Sequence, residues 1–221
     1  GTNVEKIDRN AKSVHCSDGV VFDYSTLVLA TGTRARTLSI QGANLAGVHT
    51  LRTAADARTM RDALPSMKRV VVIGGGFIGL EAAAMLSARG IQVDVVEVAE
   101  RLLGRATSEV IAAKIADYLL STGVKLHLSQ TVEAVLGEAG RVSGVQLSDR
   151  SILADHVLVG IGAIAMDELA RDAGLATNNG IVVDEFLATN DPDIFALGDC
   201  VSFPQIHSDG LTRLESVQNA T

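Results

Sequence analysis

An α/β fold, in which one nucleotide-binding unit interrupts another, is predicted by three features of the sequence. The stretch KRVVVIGGGFIGLEAAAMLSARGIQVDVVE, Lys68 to Glu97, places a β-branched apolar run, a Gly74-x-Gly76-x-x-Gly79 turn, a helix and a second strand in register. On either side of it two more apolar strands, LVLATG at 27–32 and HVLVGIG at 156–162, end at glycine. After the fingerprint, Thr131 to Gly137 and Val142 to Leu147 read as an antiparallel meander. Together these make a Rossmann-like domain, a parallel sheet with a β-meander, set into a second nucleotide domain.

Taken in order, Thr2 to Ile7, Ser13 to Cys16 and Val20 to Phe22 read as short strands, with Asp18-Gly19 as the turn signal. Tyr24 to Ala30 reads as a buried strand ending in Ala30-Thr31-Gly32. A linker follows, and Thr53 to Leu64 is an amphipathic helix stopped by Pro65, which lacks the N–H a helix needs. Val70 to Ile73 is the buried first strand of the fingerprint, Leu80 to Ala88 its helix and Gln92 to Val96 its second strand. Ser108 to Ser121 is the next helix, closed by Gly123. Val124 to Leu128 and Ile152 to Gly160 are strands flanking the meander, and Asp167 to Ala173 is a short helix. Ile181 to Asp184 and Ile194 to Leu197 are strands separated by a turn at Asp191-Pro192, with Gly198-Asp199 at the end of the second. The chain opens on strand-like GTNVEKID and closes on LESVQNAT, which reads as a helix start, so a piece of a longer protein is expected.

Composition narrows the function. A chain of 221 residues, 47% hydrophobic and 20% charged, can bury one large core or two small ones. A net charge of −7 without basic patches argues against nucleic acid or an anionic membrane as partner. Cys16 and Cys200 belong to no C-x-x-C pair, which fits a reducing cytoplasm, and no apolar run is long enough to span a bilayer. The histidines lack ligand spacing, so no metal site is expected, and no G-x-S-x-G elbow frames a nucleophile.

Each fingerprint glycine has its own task. Gly74 lets the chain turn sharply out of the strand, Gly76 lets backbone N–H groups approach a pyrophosphate, and Gly79 lets helix and strand pack closely. The helix N-terminus adds unpaired N–H groups and a partial positive charge for the phosphates. Glu97 stands where this fold puts the acid that binds an adenosine ribose. It would repel the 2′-phosphate of NADP by ~1 kcal/mol in water and ~4 kcal/mol at an effective dielectric near 20, so NAD is favoured. Arg101 and Arg105, just beyond, either offset part of that repulsion or belong to a solvated loop.

With these motifs in place, the chain resembles the two-dinucleotide-domain flavoproteins, and within them the NADH-dependent, FAD-containing ferredoxin reductases that serve oxygenase systems. The resemblance is carried by LVLATG (Leu27 to Gly32), HTLRTAADA (His49 to Ala57), VVVIGGGFIGLEAA (Val70 to Ala83), VGIGA (Val159 to Ala163), TNDPDIFALGDC (Thr189 to Cys200) and RLESVQNA (Arg213 to Ala220). It covers nearly the whole chain. It implies that residues 1–36 and 163–221 are parts of an FAD-binding domain of the glutathione-reductase type, and 37–162 the NAD-binding domain.

The resemblance also implies site residues. The Val4 backbone is expected to reach the FAD adenine, Arg52 to contact FAD, Asp199 to bind the ribityl chain, and the Val217 backbone to touch the flavin ring. The strand ends Ala30, Thr31, Gly32 and Gly198 count among the cofactor-binding residues. Glu97 and Arg105 match ribose and adenosine contacts to NAD, while Ile78, Glu81 and Gly162 match the region nearest the nicotinamide, with Phe77 beside them. NADH would deliver a hydride to FAD, and single electrons would pass to a two-iron, two-sulfur ferredoxin, so no catalytic side chain is expected. Two departures stand out: Ala165 and Met166 occupy the family's Pro-Asn positions, and the FAD-pyrophosphate fingerprint would precede Gly1. An NAD pocket with only fragments of an FAD pocket, and hence a nearly colourless protein, is therefore expected. The alternatives are another pyridine nucleotide-disulfide-type oxidoreductase such as an NADH oxidase, or an inactive NAD-binding fragment.

Overall fold

The computed structural model describes residues 1–104, 106–205 and 210–216, and the chain divides into two compact units. One is Ala35–Gly162; the other combines Gly1–Arg34 with Ala163–Thr221. No helix among the described residues is long and apolar enough to cross a membrane.

The Ala35–Gly162 unit is built on a five-stranded sheet whose neighbours all run parallel. In spatial order the strands are Val48–Thr50, His156–Val159, Arg69–Ile73, Gln92–Val96 and Lys125–His127. A parallel sheet covered on both faces sends alternate side chains into different cores, which is why 70–73 is an unbroken β-branched run. Val70 and Val72 pack with Leu80, Ala83 and Leu86 of the helix Phe77–Ser87 and with Leu119 of the helix Glu109–Ser121. Val71 and Ile73 turn the other way, onto Val135, Val142, Val145 and Leu147. Those four belong to an antiparallel meander, Val132–Glu138, Arg141–Leu147 and Ser151–Leu153. Each such side chain contributes roughly 1.5–3 kcal/mol, and a one-residue slip of the central strand would exchange the two cores.

Helix boundaries follow local chemistry. At the helix Ala54–Ala63 the Thr53 side chain accepts from the Asp56 N–H at 3.1 Å, and the Asp56 carboxylate accepts from Thr53 N–H at 2.8 Å and Arg52 N–H at 3.0 Å. This reciprocal cap holds the Asp56 carboxyl below its usual value, chiefly through the Thr53 N–H. Pro65 sits in the short 3-10 turn Leu64–Ser66 that ends the helix. The unit closes on itself where the Arg36 N–H donates to the Gly162 carbonyl at 2.9 Å.

The second unit contains a three-stranded antiparallel sheet, Val4–Asp8, Ser13–Cys16 and Val21–Asp23. Leu27–Leu29 pairs in parallel with Ile194–Ala196, and Ile181–Val182 in parallel with Val201–Pro204. Ile7, Leu29, Ala170, Ile181, Ile194 and Val201 share one core. The Arg9 guanidinium donates to Asp191 at 2.6 Å and to the carbonyls of Ala173 and Gly174, joining the first hairpin to the Asp191-Pro192 turn.

Several expectations are corrected. The fingerprint helix begins at Phe77 rather than Leu80, because Gly76 is its N-cap. The strand expected over 152–160 is broken after Leu153: the Asp155 carboxylate leaves the ladder to accept the N–H groups of Lys68 and Arg69. The strand expected over 24–30 shortens to Leu27–Leu29. Val48–Thr50, read as linker, is the edge strand of the parallel sheet. The helix start expected near the C-terminus lies largely outside the described residues.

A polar chain runs from the edge strand through buried His156 to the 3-10 turn. Ser66 gives its single hydroxyl proton to the Ala63 carbonyl at 2.7 Å, so it accepts from His156 Nε2 at 3.1 Å. His156 Nδ1 is then bare and accepts from His49 Nε2 at 2.9 Å, with the two rings stacked. His156 is therefore the neutral Nε2–H tautomer, and His49 carries a proton on Nε2. Burial pushes both below the usual histidine value; His156 adds to the effect on His49, while Asp155 opposes it at His156. Below the unfolded value near pH ~6.5 the unfolded chain binds more protons, so this stabilisation is complete above that pH and lost below it. The melting temperature should fall between about pH 7 and pH 5, and the His49→Gln/His156→Leu double variant should flatten that fall. An unchanged slope in the double variant would remove the pair as its cause.

Candidate functional site

Of the residues expected to bind NAD, the fingerprint glycines and Glu97 lie at the carboxyl edge of the parallel sheet, the edge at which such sheets bind ligands. Leaving Ile73, the chain passes Gly74 at φ +107°, where a Cβ would lie 2.4 Å from the Gly160 carbonyl oxygen. A Cβ on Gly79 would lie 2.4 Å from the Gly74 oxygen and 3.1 Å from Val72 Cγ1. Protein neighbours therefore require glycine at both positions.

Gly76 is different. Its φ is −85°, open to any residue, and a Cβ there would meet nothing within 4 Å. The Leu80 N–H to Gly76 carbonyl bond, 3.0 Å, is the first of the helix, so the N–H groups of Phe77, Ile78 and Gly79 precede it. A side chain at Gly76 would occupy the space over those donors. That cradle fits a diphosphate, which answers both the donors and the positive end of the helix dipole.

Glu97 closes the cradle. Its Oε2 accepts from the Gly75 N–H at 2.5 Å and its Oε1 from the Ala99 N–H at 2.8 Å. A carboxylate has about four acceptor positions, so two remain for the hydroxyls of a ribose. Gly75, which the sequence reading passed over as a variable position, is held on both sides: its carbonyl also accepts from the Leu103 N–H at 2.9 Å. A Cβ on Gly75 would lie 2.8 Å from Leu102 Cδ2 and 3.1 Å from Glu97 Oε2. The available signal was that GGG fills the variable position with glycine as well.

Of the two arginines beyond Glu97, Arg101 is committed to its own loop. Its Nη1 donates to the Thr107 carbonyl at 3.1 Å and its Nη2 to that of Gly104 at 2.7 Å. Arg105 lies outside the described residues. Phe77 and Ile78 are exposed on the first helical turn, and Glu81, expected at the helix start, is exposed on the second turn because the helix begins earlier. Ile78 and Glu81 line one groove of about 400 Å³ with Leu51, Met60, Leu64 and Met85. Gly162, at φ +96°, faces open space, and exposed Arg52 follows the edge strand by two residues.

The second unit repeats the theme on a smaller scale. The parallel strands Leu27–Leu29 and Ile194–Ala196 run to Ala30-Thr31-Gly32 and Gly198-Asp199, with φ +67° at Gly32 and +80° at Gly198. A Cβ on Gly32 would meet nothing within 4 Å. The Thr31 hydroxyl donates to the Met166 carbonyl, and the Met166 N–H to that of Gly32 at 2.9 Å, which fixes the loop where the family pattern is broken. Arg213 donates to the Asp199 carbonyl at 3.3 Å and pairs with Glu215 at 2.6 Å. Val4 opens the first strand, partly exposed, and Val217 lies outside the described residues. Among the described residues no cluster of His, Cys, Asp or Glu could hold a metal.

A glycine cradle at a parallel-sheet edge, with a carboxylate beside it, defines a dinucleotide-binding α/β protein. The chain belongs to the pyridine nucleotide-disulphide oxidoreductase family, whose model matches residues 1–221. It is 45% identical over its whole length to rhodocoxin reductase of Rhodococcus erythropolis, covering 52% of that protein. It is 38% identical to the ferredoxin–NAD(+) reductase subunit of the benzene 1,2-dioxygenase system of Pseudomonas putida, covering 53% of it. Among solved structures, a ferredoxin reductase from Rhodopseudomonas palustris matches all of the chain with a TM-score of 0.97 and 41% identity, over 55% of its own length. Putidaredoxin reductase, in its covalent complex with putidaredoxin, matches 99% of the chain with a TM-score of 0.93 and 38% identity, over 54% of its own length. The chain thus spans about half the length of the relatives it matches.

The two kinds of glycine separate by experiment. Gly79→Ala should cost about 2–4 kcal/mol in urea unfolding, because backbone must shift to admit the methyl. Gly76→Ala should unfold within about 0.5 kcal/mol of the parent.

Proposed function

We propose that the protein is an NADH-dependent flavoprotein reductase of an oxygenase system, with FAD and NAD as cofactors. When bound, they supply hydride transfer from NADH to FAD and single-electron delivery to a two-iron, two-sulfur ferredoxin. The observation that carries the reading is the open cradle at Gly76 beside the Glu97 carboxylate, a pair that suits a diphosphate joined to a ribose.

In this reading Gly74, Gly76 and Gly79 shape the pyrophosphate site, while Phe77 and Ile78 offer helix N–H groups. Glu97 binds the adenosine ribose, Arg105 contacts the adenosine, and Glu81 and Gly162 serve the nicotinamide end. The unit Ala35–Gly162 is then the NAD domain, and the unit holding Val4, the 30–32 turn, Gly198, Asp199 and Val217 the FAD domain, with Arg52 as a further FAD contact. The parallel strand ends at Gly32 and Gly198 support a nucleotide cofactor there. No side chain acts as acid, base or nucleophile; the residues bind and orient.

Relatives named as ferredoxin reductases of dioxygenase systems support the electron acceptor, as does the complex of putidaredoxin reductase with putidaredoxin. A relative 39% identical is a rubredoxin–NAD(+) reductase of Pseudomonas putida, so rubredoxin is the second acceptor to assay. Buried, unpaired Cys16 and Cys200 support a cytoplasmic location.

Titration with NADH, followed by its fluorescence, tests the site. Glu97→Ala should weaken binding about 10- to 100-fold, as expected for losing hydrogen bonds to a charged group. Gly76→Ala should weaken it at least as much while leaving stability intact. If the protein does not bind NADH, or if both variants bind as tightly as the parent, the reading fails.

A further inference from the structure

The segment between Glu97 and the helix Glu109–Ser121 is fastened to the glycine turn at several points within one unit. Glu97 holds the Gly75 N–H, the Leu103 N–H holds the Gly75 carbonyl, and Leu102, 1% exposed, packs where a Gly75 side chain would be. The two leucines belong to a loop that Arg101 closes, its guanidinium spanning the carbonyls of Gly104 and Thr107. A planar fork can bridge two fixed carbonyls, whereas the ammonium of lysine is a point charge on a flexible stem. Leu103 is also held at φ +51°, a left-handed conformation that a bulky side chain avoids unless its surroundings enforce it.

We propose that Arg101 is a positioning residue for the adenosine ribose: it grips the Gly104 and Thr107 carbonyls, Leu102 and Leu103 pin Gly75, and Gly75 orients the Glu97 carboxylate. The inference rests on the NAD-site reading above. It assigns the guanidinium to the backbone rather than to a phosphate, so the arginine acts without touching the nucleotide.

A double-mutant cycle tests it, using Arg101→Lys, Glu97→Gln and the pair, each titrated with NADH and with AMP, which carries the same ribose. Arg101→Lys should weaken both ligands by the same factor, about tenfold, and Arg101→Gln, the second variant, by a similar factor. In the Glu97→Gln background Arg101→Lys should cost no more than about twofold further, because the two residues act as one unit. Full additivity, or either arginine variant binding like the parent, would overturn the latch. A parent protein that binds neither ligand would instead sink the NAD-site reading, and the latch with it.

Discussion

Three backbone segments meet at the end of the central strand closer than any side chain would allow. Gly74 abuts the Gly160 carbonyl, Gly79 abuts the Gly74 carbonyl, and Gly75 fills the gap between Leu102 and Glu97. This close approach sets the rest of the Ala35–Gly162 unit. It brings the fingerprint helix onto Val70 and Val72, puts the strand His156–Val159 beside Arg69–Ile73, and aims the first helical turn at the sheet edge. Gly76 stands apart from the other three because nothing in the protein excludes a side chain there. Three glycines are required by their protein neighbours, and the fourth leaves the space beside the first helical turn open.

The sheet needs both faces covered, and its two covers differ in kind. Helices lie on one face and the three-stranded meander on the other, so the five strands stay apolar while the carboxyl edge remains open. A meander is a compact lid because short turns join its strands. Buried His156 is joined to His49 and to the Ser66 hydroxyl at the surface, and the one hydroxyl proton, given to Ala63, fixes the direction of the chain.

Much of this was legible in the sequence, and the parts that were not have physical reasons. The run of valines, the spaced glycines and Glu97 are dictated locally by a buried parallel strand and a sharp turn, so motif and structure coincide. The Val48–Thr50 strand was not legible, because three residues at a sheet edge carry no periodicity and owe their conformation to pairing with His156–Val159. The break at Ala154-Asp155 depends on N–H groups of Lys68 and Arg69, more than eighty residues away, which no local pattern encodes. The place of Gly75, and the choice between the two roles open to Arg101, were not legible for a similar cause. Their partners lie within the segment, but only the folded loop shows that the arginine bonds carbonyls and that both backbone groups of Gly75 are taken.

The hydrogen bond from Arg36 to Gly162 joins the entrance and exit of the Ala35–Gly162 unit. The pairing of Leu27–Leu29 with Ile194–Ala196 in the other unit must otherwise close a loop of well over a hundred residues, an entropic cost of about 4 kcal/mol. Once the inserted unit has folded, its chain ends are already adjacent, and that distant pairing has only short tethers left to close. The connectivity thereby makes the folded contiguous unit an entropic staple for the divided one.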